Sequence, residues 1–389
     1  MPGSSSTVSL VDVKRDLPGS VRRAMDQHGV ARIIGRKPRV YVKVNAVDFK
    51  PYCHTDTGVT AEVLRYCREA GAGELFLMDN STQGNLTRLV FHIAGFDRVA
   101  REHGAKTLYL DEWKQVPVTL PGMRYQVRVA SPVKRIVDDR DGVTYINLPR
   151  LKTHSMTVIS CGIKNQYGFV AHADRSIDHN YRLHRKLADL YSVIKPDFTL
   201  ADGTVATIYG HYPLEALQKK CLVPFNILVG GTDTLAVDVV CARVLGYRLE
   251  EVPHLALAQE MGLGQGDLSR IEVNGLPLGR FRKKYPFRLY DAFPPDVEII
   301  RGAERNCLEG CDANIMALIQ MLYLDFEGKG GFTVLMGKGL DREAVYRLEG
   351  RVFIAGPCAY QEAGERLKKK LGVKNVFFTR ECNDLAGAL

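Results

Sequence analysis

The hydrophobic positions of this chain alternate between short apolar runs and longer segments with helical spacing. Apolar runs typical of buried strands occupy residues 39–45, 74–79 and 106–110. Residues 59–70 and 85–102 lie between them and repeat their apolar side chains at helical spacing. This alternation predicts an α/β fold of mostly parallel sheets with helices on both faces.

A second α/β pattern follows near the C-terminus. Strand-like and helix-like segments alternate at 297–300, 312–326, 332–336, 351–355, 361–371 and 375–378. The stretch before them is rich in Pro, Gly and Arg, which is typical of a connector. We therefore predict an N-terminal tail and helix at 1–29, a large α/β domain at 30–275, a linker at 276–294 and a smaller α/β domain at 295–389. A break near 115–145 would divide the large domain if it has two lobes.

Polar residues cluster at and after the predicted strand ends, where open parallel sheets bind ligands. The segment 147–168 places two lysines, a histidine and an amide among apolar residues. A lysine close to another cation in a dry cleft has a lowered pKa, which suits proton transfer or anion binding. The alternative is a structural role in a hydrogen-bonded polar seam, and for aspartates a role in turns or caps. The candidate catalytic residues are His154, Lys152, Lys164 and Asp202, and the candidate substrate-binding residues are Lys43, Asn45, Asn165, His172 and Asp238.

Four cysteines fall in the strand-end loops of the smaller domain, where they can converge. They are Cys307, Cys311, Cys358 and Cys382. Four thiolates can hold an iron–sulfur cluster or a structural zinc, and spacing alone does not separate the two. The alternative is a set of unrelated buried thiols, which is what we expect for Cys161, Cys221 and Cys241 in their apolar runs.

Composition narrows the possible partners and the compartment. The net charge is +9, but the basic residues are dispersed, which argues against nucleic acid and favours a small anionic substrate. No apolar run approaches the length of a membrane span, and the N-terminus lacks the layout of a secretion signal. We therefore expect a cytoplasmic protein with reduced cysteines and no membrane partner. The sequence has no nicotinamide or flavin fingerprint, because the nearest glycine cluster, at 262–266, follows a predicted helix where such a site requires a strand.

Several sequence motifs in the large domain occur in one combination. They are Lys43-x-Asn45, Asn147-Leu-Pro-x-Leu-Lys152-Thr-His154, Gly162-Ile-Lys164-Asn165-x-x-Gly168, Asp202-Gly203, Thr232-Asp233-x-x-Ala236-Val-Asp238 and Gly262-Leu-Gly264. Over about residues 35–275 this combination resembles the domain-of-unknown-function family 362. The resemblance implies an association with iron–sulfur clusters, sometimes through an appended ferredoxin domain, and so favours a 4Fe–4S cluster over zinc. This chain lacks the Cys-x-x-Cys-x-x-Cys run of such a ferredoxin domain.

A more distant likeness is to the lactate racemase family, in which a lysine in a glycine-rich turn and nearby histidines hold a nickel cofactor. Here Gly162-Ile163-Lys164, His154 and His172 match that pattern loosely. We therefore do not expect the nickel cofactor in this chain.

These observations predict an iron–sulfur enzyme acting on a small anionic organic substrate, with a reductase as the first choice. The lysines would neutralise the substrate, and His154 would give or take a proton. If the cluster faces the cleft, it would supply electrons or act as a Lewis acid. The alternatives are a cluster-assisted lyase or isomerase, a non-enzymatic electron carrier or cofactor-maturation protein, and a structural zinc protein. An electron-donor protein and a second copy of the chain are further candidate partners.

Overall fold

The computed structural model describes residues 5–82, 84–122, 126–176, 182–379 and 382. The strands are β1 (Ser6–Asp12), β2 (Arg39–Lys43), β3 (Glu74–Asp79), β4 (Lys106–Tyr109), β5 (Gln115–Thr119), β6 (Gln126–Ala130), β7 (Val143–Asn147), β8 (Arg150–His154), β9 (Val158–Ser160), β10 (Phe198–Thr207), β11 (Leu222–Val223), β12 (Ile227–Gly231), β13 (Ile271–Gly275), β14 (Val297–Arg301), β15 (Phe332–Met336), β16 (Arg351–Ala355) and β17 (Val376–Phe378). The helices are α1 (Leu17–Asp26), α2 (Val30–Arg36), α3 (Thr57–Glu69), α4 (Thr87–Ala94), α5 (Phe96–Glu102), α6 (Ser131–Asp138), α7 (Gly162–Asn165), α8 (His172–Ser176), α9 (Leu183–Val193), α10 (Gln218–Cys221), α11 (Thr234–Val244), α12 (Pro253–Glu260), α13 (Ala313–Asp325), α14 (Arg342–Arg347) and α15 (Gly356–Leu371).

The chain folds into two compact units, and the boundary is not a single point in the sequence. The first unit comprises residues 1–172, 184–213 and 220–287. The second comprises 173–183, 214–219 and 288–389. Residues 276–287, which the sequence assigns to a linker, therefore belong to the first unit.

A large sheet forms the centre of the first unit, with the strand order β13-β1-β12-β10-β7-β2-β3-β4. Strands β2, β3, β4 and β7 are parallel, and β7 pairs in parallel with β10. Lys43 is in register with both Met78 and Asn147, so the carboxyl ends of three neighbouring strands lie at one edge. The mostly parallel α/β architecture predicted from the sequence is confirmed.

The long strand β10 extends the sheet beyond this edge. Its first residues pair with β7, and it then pairs with β8 at Asp202 and again at Thr207, with an irregularity between the two. Strands β8 and β9 then form a hairpin in which His154 is opposite Val158. The hairpin thus carries Lys152 and His154 next to the edge where the parallel strands end.

The second unit contains a parallel four-stranded sheet, in the order β14-β15-β16-β17. Side chains alternate across it: Val334 and Met336 pack with Ile315 of α13, while Leu335 packs with Leu367 of α15. A strand with both faces buried needs apolar residues at nearly every position, as in Phe332–Met336. The predicted small C-terminal α/β pattern is present.

Three local predictions differ from the structure. Residues Ser6–Asp12, assigned to a tail, form β1 in the interior of the large sheet. The single helix expected over 85–102 is divided at Gly95, whose φ of +88° ends α4 and precedes α5. The sequence analysis predicts no helix at the position of α6. Pro132 in its first turn is a signal for a helix start, because proline is favoured there.

None of the helices in the described part of the chain is both long and apolar enough to cross a membrane.

Candidate functional site

A buried ion pair lies where β2, β3 and β7 end. The Lys43 Nζ donates to Asp79 Oδ1 at 2.7 Å and to the Val44 carbonyl at 3.1 Å, and lies 3.4 Å from Asn165 Oδ1. Asp79 also accepts from the backbone N–H of Ala46 and of Asn80. With three donors and three acceptors placed, Lys43 is satisfied by the protein itself.

A directed chain of amides links this ion pair to the hairpin. Lys152 Nζ donates to Asn45 Oδ1 at 2.8 Å, and Asn45 Nδ2 donates to Asn165 Oδ1 at 3.0 Å. Asn165 Nδ2 donates to Asn147 Oδ1 at 2.8 Å, and Asn147 Nδ2 donates to the Gly162 carbonyl at 2.8 Å. Each amide is therefore fixed in orientation by its neighbours. The sequence predicts Asn45 and Asn165 at one site, and the structure brings them into contact.

Lys152 differs from Lys43 in having no acidic partner. Its side chain is 1% exposed, and within the described residues it makes one hydrogen bond, to Asn45, and no ion pair. The pKa of Lys152 is lowered to about 8, chiefly by burial; Cys53 has the next largest effect and opposes the fall, Arg150 and Lys43 add to it, and Asp79 opposes it. An ammonium has three N–H donors, so two of those of Lys152 remain for a ligand.

His154 lies two residues further along the same strand. Its Nδ1 accepts from the backbone N–H of Met156 at 3.2 Å, so the neutral ring carries its hydrogen on Nε2. Burial lowers the pKa of His154 well below its usual value, and His211, Lys164 and Lys152 lower it further. His154 is therefore neutral at pH 7 and offers an Nε2–H donor.

A second ring is stacked on His154. The centroids of His154 and His211 are 4.0 Å apart with an interplanar angle of 7°. Burial, Lys152 and Lys164 lower the pKa of His211 to about 3. Two strained residues flank the pair: Val158 (φ +66°) and Tyr209 (φ +61°) both adopt the left-handed region. Such strain in a β-branched residue is rare and is concentrated at functional sites.

A further histidine pair lies in the same unit. His254 near the start of α12 is fully buried, and its ring stacks on that of His184 in α9 at 5.8 Å and 15°. Burial lowers the pKa of His254 well below its usual value, followed by His184 and Lys164. Lys164 thus acts on His154, His211 and His254 alike, which places it among the histidines.

Asp238 holds the segment that carries Lys164 and Asn165. Its two carboxylate oxygens accept from the backbone N–H of Gly162 at 2.7 Å and of Ile163 at 2.8 Å. Burial raises the pKa of Asp238 to about 7, although these N–H groups oppose the rise. A Cβ on Gly162 would lie 2.5 Å from Thr234 Cγ2, so only glycine fits there. In the structure Asp238 is a positioning residue; its predicted contact with substrate stays a prediction.

Two other predicted site residues have protein partners. Asp202 is fully buried and accepts from Arg150 Nη1 at 3.2 Å, from the Asp56 N–H and from Thr204. This network fixes the loop before α3. His172 Nε2 lies 3.0 Å from the Ser81 carbonyl. The predicted catalytic role of Asp202 and the predicted binding role of His172 remain predictions.

Three cysteines of the second unit lie close enough to Cys311 to affect the pKa of its thiol. The pKa of the Cys311 thiol is raised to about 12, chiefly by burial and then by Cys382, Cys307 and Cys358. Cys307 precedes a π-helical turn over Leu308–Asp312, which contains Cys311. Cys358 lies in the first turn of α15, where Arg305 Nη2 lies 3.1 Å from its Sγ. The loops that the sequence indicates therefore bring the thiols near Cys311.

The space around Cys311 also depends on a glycine. Gly356 has a φ of +81°, and a Cβ there would lie 3.1 Å from Cys311 Sγ. Across the described residues, no group of three or more His, Cys, Asp or Glu side chains is arranged to hold a metal ion. A single zinc would need the sulfurs about 3.8 Å apart, as follows from tetrahedral Zn–S bonds of about 2.3 Å. The thiols are thus neighbours without being in single-ion geometry.

Sequence reasoning missed His254, and it left Asn147 and Asp79 out of the candidate site residues. His254 sits in the apolar segment Pro253-His254-Leu255-Ala256, where nothing in the spacing distinguishes it from a core residue. Asn147 closes the amide chain and Asp79 pairs with Lys43. Both end a predicted strand, so the strand-end rule could have included them.

Comparison with known proteins places these residues in a family. A family model described as a domain of unknown function (DUF362) matches residues 40–243, which include the amide network, the first histidine pair and Asp238. The chain is also 26% identical over 221 residues to the thylakoid-associated protein sll1697 of Synechocystis sp. (strain ATCC 27184 / PCC 6803 / Kazusa). The match covers 54% of this chain and 63% of that relative, so the chain spans less than two thirds of its length.

Proposed function

We propose that this chain, which belongs to the DUF362 family, is an iron–sulfur enzyme that binds a small anionic organic substrate at Lys152 and reduces it. The observation that carries the substrate class is the state of Lys152. It is a fully buried ammonium with one amide partner, no carboxylate partner among the described residues and two open N–H donors. A buried charge without a counter-ion is costly, and a bound anion relieves that cost.

The groups around Lys152 supply a hydrogen-bond donor and positive charge, which are what an oxyanion needs. His154 offers its Nε2–H, since Nδ1 is held by the Met156 N–H. Lys164 adds positive charge, while Asp79, whose charge also reaches Lys152, is paired with Lys43. Donors that are fixed before binding cost little reorganisation when the ligand arrives.

Lys152 is also the group best suited to move a proton. A pKa of about 8 lies close to the operating pH, where proton transfer by a side chain is most effective. His154 is neutral and acts as a hydrogen-bond donor instead. This assignment refines the sequence prediction, in which His154 gives or takes the proton and the lysines neutralise the substrate.

The cysteines of the second unit would supply the four thiolates that an iron–sulfur cluster needs. Cys307, Cys311, Cys358 and Cys382 would hold it, and Gly356 leaves space beside Cys311. When bound, a cluster of this kind supplies electrons one at a time from a donor protein. Zinc is the alternative occupant.

Metal analysis of anaerobically purified protein tests the cluster. We expect iron, acid-labile sulfide and broad absorption near 400 nm in the wild type, and loss of all three in Cys358→Ser. Cys221→Ser, which alters a thiol of the first unit, should retain them. A colourless protein with zinc and no iron would remove the redox part of the proposal and leave the anion site in place.

Calorimetric titration tests the anion site separately. We expect the wild type to bind butyrate, and Lys152→Met to weaken that binding about tenfold or more because the substitution removes the charge and both open donors. Lys14→Met, the same change at an exposed lysine of the first unit, serves as the control. Equal affinities of the wild type and Lys152→Met would refute the assignment of Lys152.

A further inference from the structure

The second histidine pair has no role in binding an anion at Lys152, yet it is built like a binding site. His254 is fully buried, and neither of its ring nitrogens has a hydrogen-bond partner among the described residues. A neutral imidazole needs one acceptor for its N–H and one donor for its other nitrogen. Leaving such groups buried and unpaired costs free energy, so native proteins rarely retain them without a ligand or ordered water.

Other unpartnered polar atoms occur in the segments around this pair. Gln166, two residues after Lys164, is fully buried, and both of its amide atoms lack a partner in the described structure. Ser155 Oγ and His211 Nδ1, one beside His154 and one stacked on it, are also buried without a partner. Buried polar atoms without a partner also occur elsewhere in the first unit, for example at Asp111, Gln115 and Tyr145. His254 and Gln166 differ from these in that two polar atoms of one side chain lack a partner in the described structure.

The two buried rings are affected most by lysines and by other histidines. After burial, the largest effects on the pKa of His254 come from His184 and Lys164, and those on the pKa of His154 come from His211, Lys164 and Lys152. Both rings are neutral at pH 7 because burial opposes protonation and the nearby lysines oppose it further. Each ring therefore presents an N–H donor close to positive charge. Lys152 is one source of that charge at His154, and Lys164 is a source at both His154 and His254.

We infer that the ligand carries two oxyanion groups, carboxylate or phosphate, and that the second is bound by His254 together with Lys164. This inference rests on the proposed function, since it takes the first oxyanion to be bound at Lys152. The ligand class is therefore a dianion with a separation between its charged ends, such as a dicarboxylate or a compound with both a carboxylate and a phosphate. A monoanion bound at Lys152 would leave the His254 ring nitrogens without a partner.

Calorimetric titration of the full-length protein tests this with matched probes. The monoanion is butyrate, and the dianions are malonate, succinate, glutarate and adipate, which vary the distance between carboxylates. Orthophosphate and pyrophosphate form the phosphate arm. We expect one dianion of suitable length to bind at least about tenfold more tightly than butyrate, since a second charge-assisted contact adds to the first. A preference for pyrophosphate over every dicarboxylate would assign the second group as phosphate.

Variants locate the second group. In His254→Phe, which keeps a stacked ring, and independently in Lys164→Met, the preference for the best dianion over butyrate should fall to about twofold or less. Lys152→Met should weaken both probes and retain part of the preference. His92→Phe, at an exposed histidine of α4, is the control for the ring substitution.

The possible failures are distinct. If butyrate binds and no dianion binds more tightly, the second subsite does not exist and the anion site at Lys152 stands. If the preference survives in both His254→Phe and Lys164→Met, other residues bind the second group and the assignment is wrong. If no probe binds the wild type, the proposed anion site fails and this inference fails with it. Because Lys164 lies on a different segment from His254, misfolding of one variant leaves the other informative.

Discussion

Two lysines of the first unit are buried to the same extent in opposite electrostatic surroundings. Lys43 and Lys152 are each 1% exposed, but Lys43 faces the Asp79 carboxylate and Lys152 faces a neutral amide. Substitution by methionine therefore has different consequences at the two positions. At Lys43 it leaves a buried carboxylate alone, and at Lys152 it removes a buried charge.

Lys152 should make the stability of the first unit depend on alkaline pH. Its pKa falls from 10.5 to about 8 on folding, so between these values the unfolded chain holds a proton that the folded chain has lost. The contribution of Lys152 to the free energy of unfolding therefore rises with pH across this window, by about 1.4 kcal/mol per pH unit and roughly 3 kcal/mol in all. Below pH 8 both states are protonated, and the folded state bears the whole cost of the buried charge.

Urea unfolding of the wild type and Lys152→Met measures this, with fluorescence of Trp113 in the first unit as the probe. The stability of the variant relative to the wild type should decline by roughly 3 kcal/mol from about pH 7.5 to pH 10.5. The difference isolates Lys152, since other groups titrate in both proteins. A difference that stays constant with pH would show that Lys152 titrates normally.

Lys43→Met should destabilise the first unit by about 3–5 kcal/mol, because Asp79 would remain charged and 2% exposed without its cation. The double variant Lys43→Met/Asp79→Asn removes the stranded charge and should recover much of the loss. Urea unfolding at pH 7 compares the two. Equal stabilities of the single and double variants would mean that the ion pair has little effect.

At this scale the sequence identifies residue types and misses their partners. Lys152, His154, Lys164 and Asn165 fall in one conspicuous segment, and the structure places Asn45 and His211 beside them. Whether a buried lysine has an acidic partner depends on contacts over long sequence separations. Lys43 and Asp79 are 36 residues apart, and Lys152 and Asn45 are 107 apart. The spacing of residue types along the chain does not reveal such pairings.

Among the elements, α7 has the most restrictive packing in the site. Gly162 at its start would place a Cβ 2.8 Å from Asp238 Oδ1 as well as against Thr234. Gly162→Ala should therefore displace the segment with Lys164 and Asn165, destabilise the first unit by about 1–3 kcal/mol and weaken dianion binding. Calorimetry and urea unfolding measure the two effects.

Gly35 in α2 is a matched control, since a Cβ there meets nothing within 4 Å. Gly35→Ala should stabilise the helix by about 0.5–1 kcal/mol and leave binding as it is. If Gly162→Ala behaves like Gly35→Ala, the close packing under α7 is not required.

Most element boundaries follow from local patterns, and the exceptions have tertiary causes. Strands β3, β15 and β16 begin and end where the apolar runs do. The sequence predicts a tail at the position of strand β1 because residues 1–7 are polar. This segment becomes a strand because its neighbours β12 and β13, more than 200 residues away, supply both ladders. A local pattern cannot reveal partners at that distance.

On the scale of the whole molecule, each unit has its own sheet and its own core. The first core includes Val40, Leu64 and Phe91, while the second unit packs Val352 and Leu367 in one cluster and Ile315 and Val334 in another. Residues 173–183 and 214–219 join the second unit from within the first, so no single cut in the chain separates the two. The sequence predicts two domains but does not indicate that these two segments belong to the second unit. Their amino-acid composition does not distinguish them from the residues on either side.

Separate cores predict separate thermal transitions, and each proposed site should affect one of them. Calorimetric heating of the anaerobic protein should show two transitions, one of which coincides with the change in Trp113 fluorescence and reports the first unit. A bound cluster stabilises the fold that binds it, so Cys358→Ser should lower the other transition. Lys152→Met should shift the Trp113 transition instead, in the direction set by pH. If there is one transition that both substitutions shift equally, the two units unfold as one cooperative body despite their separate cores.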